Sequence, residues 1–244
     1  KYGIEVTLLD TTDTDAVRAA VRPNTKLIHV ETPGNPTTGI SDLDAIAAIA
    51  QASGALLSVD ATFAGPISIF PLRHGAALEI HSMTKYINGH GDSLGGCVLG
   101  NTDLIDRLKE LAMVNYGGIL SPFNAWLVAR GLTTAPLRMK QHCANALAVA
   151  KYLKGHEKVK WVKYSGLEGD KYYDLARKYM PNGTCGVVSF GVKGGRQAAE
   201  TFMKHLKIAA IETHVADART CCLHPASSTH RQMNDAELAA AGVG

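Results

Sequence analysis

Three short apolar runs, each closed by a cluster of polar, glycine or proline residues, constrain the fold of this chain more than any other feature. Residues 26–30 run into Glu31-Thr32-Pro33-Gly34-Asn35-Pro36, residues 55–59 into Asp60-Ala61-Thr62, and residues 77–80 into His81-Ser82-Met83-Thr84-Lys85. Four or five apolar residues bounded by turn signals read as a buried strand. Between the first two runs, Ser41-Asp42-Leu43-Asp44 followed by residues 45–50 carries an N-cap, an early acid and helical apolar spacing, and Gly54 closes the helix. Residues 96–99 add a further strand, and the connections are too long for hairpins. Strands alternating with helices or long connections build a mostly parallel α/β sheet.

Ser121-Pro122 supplies the N-cap and first position of a helix, and residues 123–149 are helix-like apart from a break at Thr133-Thr134-Ala135-Pro136. That break divides the chain into an expected large domain, 1–136, and a smaller α/β domain, 137–244. Within the latter we expect a helix over 144–153, a strand over 186–190, an amphipathic helix over 195–206, a strand over 207–212 and a last helix capped by Asn234 and Glu237. With 244 residues, 46% of them hydrophobic, the chain can bury a real core, which excludes disorder and fibrous folds. A net charge of +3 argues against nucleic acid or a membrane surface as the main partner. No apolar run approaches the roughly 18 residues of a membrane span. Five scattered cysteines point to reduced thiols and a cytoplasmic location. Cys221, Cys222, His224 and His230 lack the paired spacing of a zinc site, so no metal is expected. The start at Lys1 and the end on Gly242-Val243-Gly244 read as the bounds of a piece of a longer polypeptide.

In open parallel sheets, ligands gather outside the carboxyl ends of the strands, and all three polar clusters fall there. Asp60 follows an apolar strand, where a carboxylate stays ionised only if it is paired. Either a cationic ring nitrogen pairs with it, or it caps the next turn. Ser82, Thr84 and Lys85 offer two hydroxyls and an amine, which suit a phosphate-bearing aldehyde: donors for the phosphate oxygens and a nitrogen to form a Schiff base. Two nucleotide-binding motifs fail. Gly89-His90-Gly91-Asp92-Ser93-Leu94-Gly95 misses G-x-G-x-x-G, and Thr84-Lys85 has no upstream phosphate loop.

These segments, with Val59-Asp60-Ala61-Thr62-Phe63 and Gly89-His90-Gly91-Asp92, resemble in order and spacing the pyridoxal-phosphate enzymes of cysteine and methionine metabolism. Ser121 to Trp126, Arg130-Gly131-Leu132, Leu137-Arg138-Met139, His142 to Asn145 and His224 to His230 extend the resemblance across essentially the whole chain. It implies a type I aminotransferase-like fold, pyridoxal 5'-phosphate as cofactor, a small sulfur amino acid as substrate, and a homo-oligomer, usually a tetramer with sites between subunits. It further implies that Lys85 carries the cofactor, that Asp60 keeps the pyridine nitrogen protonated, that Ser82 and Thr84, with Thr62 beside them, hold the phosphate, and that Asn35 bonds the phenolic oxygen.

Departures from the family pattern bear on the substrate. Ala61 stands where Asn is usual, and His214-Val215-Ala216-Asp217 replaces a Ser-Leu-Gly segment that holds the substrate carboxylate. Thr213 stands where cystathionine-cleaving relatives tend to carry Glu, which counts against cystathionine; Thr213 and His214 are the candidate substrate contacts. The family's ring-stacking tyrosine and carboxylate-binding arginine fall outside the sequence. Asp92 and the uninterrupted run 108–121 resemble the lyases that perform α,γ-elimination on methionine-type substrates, releasing a thiol, ammonia and a 2-oxo acid. The alternatives are a γ-replacement enzyme and an inactive truncated chain. Tyr116 and Trp126 read as packing residues, and His81, His90, His142, His224 and His230 as structural histidines. The basic stretch 151–163 reads as a solvated face.

Overall fold

A computed structural model describes residues 2–229 and 231–240 of the chain. Its centre is a four-stranded sheet in sequential order: β1 (Leu27–Glu31), β2 (Leu56–Asp60), β3 (Leu78–Ser82) and β4 (Gly96–Gly100). The first three strands pair in parallel and β4 runs antiparallel to β3. The expected strands are therefore present, and the sheet is parallel except at its last member. The register places Glu31 opposite Asp60 and Asp60 opposite Ile80, so the carboxyl ends of the three parallel strands open onto one edge.

Helix α1 (Thr14–Ala20) starts at Asp13, whose carboxylate accepts the Asp15 and Ala16 N–H groups. Helix α2 (Leu43–Ser53) forms where its caps require: Asp42 accepts the Ala45 N–H, and Gly54 closes the helix at φ +71°, a left-handed conformation that glycine adopts without a Cβ penalty. The apolar face of α2, with Leu43, Ile46 and Ile49, packs on Ile28 and Val30 of β1 and Leu57 and Val59 of β2 to make the main core. On the other face Leu27 and Leu56 stand 52% and 40% exposed, whereas Ser58 is buried.

A short helix, α3 (Gly65–Ser68), follows β2. After β4, α4 (Thr102–Leu108) passes through a π turn into α5 (Val114–Tyr116). The break expected near 133–136 separates α6 (Pro122–Thr133) from α7 (Ala135–Lys154). Beyond it lie β5 (Val159–Lys163), α8 (Tyr173–Tyr179), β6 (Ser189–Val192), α9 (Gly195–Lys204), β7 (Ala210–Ile211), β8 (Cys221–Cys222) and α10 (Asp235–Ala240). Strand β5 corrects the reading of 151–163 as a wholly solvated face: it pairs antiparallel with β6. The strand expected over 186–190 begins three residues later, at Ser189. Asn234 and Glu237 form the expected reciprocal cap, each accepting the other's backbone N–H. Among the described residues no helix is long and apolar enough to cross a membrane.

Candidate active site

The carboxyl ends of β1, β2 and β3 are stitched beyond the last ladder bonds. The Thr32 N–H donates to the Asp60 carbonyl at 3.0 Å and the Ala61 N–H to that of Ile80 at 2.9 Å. Thr62 Oγ1 accepts the Ser82 N–H at 2.8 Å, so Asp60, Thr62 and Ser82 form one local unit. Asp60 Oδ1 accepts the Thr62 N–H at 2.9 Å. Both readings of Asp60 are thus compatible: one oxygen caps the turn, and the described residues leave Oδ2 without a hydrogen bond. Across the strand pair, desolvation raises the Glu31 carboxyl above its ordinary value although the residue's edge is open to solvent; the Asn35 N–H opposes this and the Asp60 charge adds to it.

Lys85 follows β3 on one turn of π-helix, Met83–Ile87, and its own backbone, at φ −92° and ψ −125°, leaves the helical region. Such single π turns are frequent at functional sites. The turn closes through the Asn88 N–H on the Met83 carbonyl (3.0 Å) and the Gly89 N–H on that of Lys85 (2.7 Å). No described residue bonds the Lys85 amine or the Ser82 hydroxyl. Thr84 differs: its Oγ1 accepts the Gly95 N–H at 3.1 Å and donates to the Gly95 carbonyl at 3.3 Å. A hydroxyl that accepts from Gly95 can still turn its single proton to a phosphate oxygen.

Asn35 is exposed, four residues past β1, in a loop with cis bonds before Pro33 and Pro36. The Ser189 hydroxyl of β6 donates to the Pro36 carbonyl at 2.5 Å and anchors that loop from the other half of the chain. His214 and Asp217 lie against the loop after Lys85: a Cβ added to Gly91 would sit 2.8 Å from Asp217 Oδ2 and 3.6 Å from His214 Nε2. The buried His214 Nε2 has no hydrogen-bond partner, whereas Thr213 is exposed. Asp217 is buried and pairs with Arg219 at 2.8 Å, which holds its carboxyl down to about 2. The Ala218 N–H on the Gly89 carbonyl, at 3.1 Å, ties this segment to the lysine loop.

The remaining candidates sort by their contacts. His81 is buried with Nε2 2.7 Å from Glu79, His90 Nδ1 lies 2.7 Å from the Asn88 carbonyl, and His224 bonds Ser227. His142 packs edge-on against Tyr86, and burial, reinforced by the nearby Arg138 charge, lowers its pKa. His230 lies outside the described residues. Tyr116 is 73% exposed, so its reading as a packing residue does not hold, and Trp126, 52% exposed, stacks against Phe123 and the Arg130 guanidinium.

Arg138 lies in a segment that carries the resemblance, but its contact with the lysine turn is not legible in the motif. It sits in the first turn of α7, yet its guanidinium donates to the Tyr86 and Ile87 carbonyls beside Lys85. Only the sequence distance hid it, because nothing local pairs Arg138 with a turn some fifty residues upstream, 51 and 52 by count.

Among the described residues the Lys85 amine and the Ser82 hydroxyl as donors and Asp60 Oδ2 as acceptor keep open bonds, the chemistry that a phosphorylated pyridine aldehyde would need. Comparison with known proteins gives the family. The family described as "Cys/Met metabolism PLP-dependent enzyme" matches residues 1–244. A canavanine γ-lyase of Rhizobium leguminosarum bv. trifolii is 45% identical over 225 residues, which are 92% of this chain and 56% of the relative. An L-methionine γ-lyase of Porphyromonas gingivalis is 40% identical over 245 residues, 100% of this chain and 61% of the relative. A cystathionine γ-lyase from Lactobacillus plantarum, solved with L-serine, superposes with a TM-score of 0.92 at 34% identity, covering 98% of this chain and 62% of that one. The chain thus spans about three fifths of these relatives.

Proposed function

Because the chain belongs to the family of pyridoxal-phosphate-dependent enzymes of cysteine and methionine metabolism, we propose that its protein eliminates the γ-substituent of methionine- or homocysteine-type amino acids, releasing a thiol, ammonia and a 2-oxo acid. The observation that carries the reading is that, among the described residues, the Lys85 amine on its π turn, Oδ2 of Asp60 and the Ser82 hydroxyl at the ends of neighbouring strands keep no hydrogen-bond partner. Bound there, pyridoxal 5'-phosphate supplies an electron sink for charge developing at the substrate Cα.

The chain's own residues do the rest. Asp60, oriented by the Oδ1 cap on Thr62, would hold the pyridine nitrogen protonated. Ser82 and Thr84 would donate to the phosphate, and Thr62, which accepts the Ser82 N–H, would act by fixing that backbone. Asn35 donates its side-chain amide to the phenolic oxygen. The Lys85 amine, when not engaged by the cofactor, would be the base that moves protons among Cα, Cβ and the departing sulfur. His214 offers its open Nε2 on the substrate side, with Thr213 beside it.

We assign the protein to a homo-oligomer, a tetramer by family habit; the exposed apolar residues Leu111, Val114, Tyr116, Ile119 and Phe123 support such contacts. Five free thiols support a cytoplasmic location. The deciding experiment gives the full-length holoenzyme methionine in one reaction and O-acetylhomoserine with sulfide in another. Thiol and 2-oxo acid from methionine alone are expected. Product that forms only with sulfide and the acylated substrate reassigns the chemistry to γ-replacement, which shares the first proton removal.

A further inference from the structure

The Arg138 guanidinium makes four hydrogen bonds and none of them goes to a carboxylate. Nη1 donates to the Tyr86 carbonyl at 2.7 Å, Nη2 to those of Ile87 at 3.1 Å and Gly131 at 2.6 Å, and Nε to Thr134 Oγ1 at 3.0 Å. Its charge is set against backbone dipoles, and burial lowers its pKa. The planar fork with five fixed donors suits diverging carbonyls as an ammonium does not.

Two of those carbonyls belong to the π turn that bears Lys85. In a continuing helix they would accept N–H groups from downstream; here the chain turns away through Gly89 and Gly91, both at positive φ, and the arginine takes their place. Two glycines admit the contact. A Cβ on Gly89 would lie 1.9 Å from Arg138 Nη1, and one on Gly131 would lie 2.3 Å from the Asn88 carbonyl oxygen. Neither clash leaves room for a side chain, so the corner between α6 and α7 is pressed onto the lysine turn.

We propose that Arg138 is a positioning residue: by holding the Tyr86 and Ile87 carbonyls it fixes the non-helical backbone of Lys85 and hence the direction in which the amine projects. The inference rests on the assignment of Lys85 as the cofactor lysine made above. Losing the guanidinium frees two carbonyls to water, lets the turn relax, and moves the amine off line while the other cofactor contacts stay intact. Displacements of that kind cost turnover more than binding.

The test uses the full-length protein with Arg138→Met, Arg138→Lys and, as a control on the exposed side of α7, Lys140→Met. Amide hydrogen exchange of the cofactor-free protein reports the turn directly. The Asn88 and Gly89 amides should exchange at least about 10-fold faster in Arg138→Met, with Val59 and Ile80 unchanged. In the loaded enzyme, the pH midpoint of the cofactor's visible band should shift, and kcat should fall roughly 10- to 100-fold with KM within about twofold. Arg138→Lys should recover only part of each effect, and it carries the test if Arg138→Met does not fold. Wild-type exchange at Asn88 and Gly89 together with a wild-type pH midpoint in a folded variant overturns the proposal, as does full recovery by lysine. Borohydride reduction and peptide mapping of the unaltered holoenzyme separate the two readings. A pyridoxyl group on another lysine defeats the functional assignment, and the exchange result then still decides whether Arg138 clamps the turn.

Discussion

Asp60 caps a turn with one oxygen and leaves the other open, and this division allows its two roles to be separated by mutation. In Asp60→Asn the amide oxygen still accepts the Thr62 N–H, so thermal stability should stay near that of the parent. Turnover should fall by more than about 100-fold, the scale on which loss of one preorganised electrostatic partner is felt. A cofactor-loaded Asp60→Asn with near-parental kcat would leave Asp60 as a cap alone. A second residue-scale prediction concerns Asp217, whose carboxyl Arg219 lowers from 3.8 to about 2. A value depressed by folding contributes stability that is complete above the unfolded pKa and is lost as pH falls through the folded one. The stability gap between the parent and Asp217→Asn in urea should therefore be constant near neutrality and narrow between about pH 4 and about pH 2. A gap that widens on acidification contradicts the pairing.

At the scale of elements, the lysine turn is held on two sides. Arg138 grips it from α7, and Tyr86, 1% exposed, accepts the Gly186 N–H on its hydroxyl at 2.8 Å while packing with Met139 and Cys143. Tyr86→Phe leaves that N–H unpaired and should cost about 1–3 kcal/mol in urea unfolding with cofactor content preserved. Gly89→Ala meets two penalties, a left-handed backbone at φ +73° and the Arg138 fork. The backbone alone costs about 1–2 kcal/mol, so Gly89→Ala should be destabilised beyond that figure and should show the same fast exchange at Asn88 as loss of Arg138. A stability change no larger than that backbone cost would mean that the fork yields freely.

For the whole molecule, one face of the central sheet is covered by α2, Leu27 and Leu56 stand exposed on the other, and apolar side chains from Leu111 to Phe123 stand exposed as well. Surfaces of that kind mark contact sites. In the full-length protein, Val114→Glu combined with Ile119→Glu should lower the oligomeric mass measured by light scattering; an unchanged mass places the subunit contacts elsewhere. The positions of Lys85 and Asp60 on this scaffold follow from order alone, since the three strand ends meet at one edge once the parallel ladder forms.

Local signals made much of this legible. The strand runs before Glu31, Asp60 and Ser82, the caps of α2 at Asp42 and Gly54, and the reciprocal cap at Asn234 and Glu237 each depend on residues within about four positions. Residue chemistry at the strand ends likewise pointed to Lys85, Asp60, Ser82 and Thr84 as one set, and the family resemblance added Asn35. What escaped depends on partners distant in the chain. Val159–Lys163 interleaves lysines with Val and Trp and becomes a strand through pairing with Ser189–Val192. Ser189 reaches back 153 positions to Pro36, and Arg138 reaches 52 to Tyr86. Sequence alone determined which residue types stand at the strand ends, because periodicity and capping are short-range. Tertiary structure alone decided which way Lys85 faces, because a guanidinium and two glycines become a clamp only when packing brings α6, α7 and the lysine turn together.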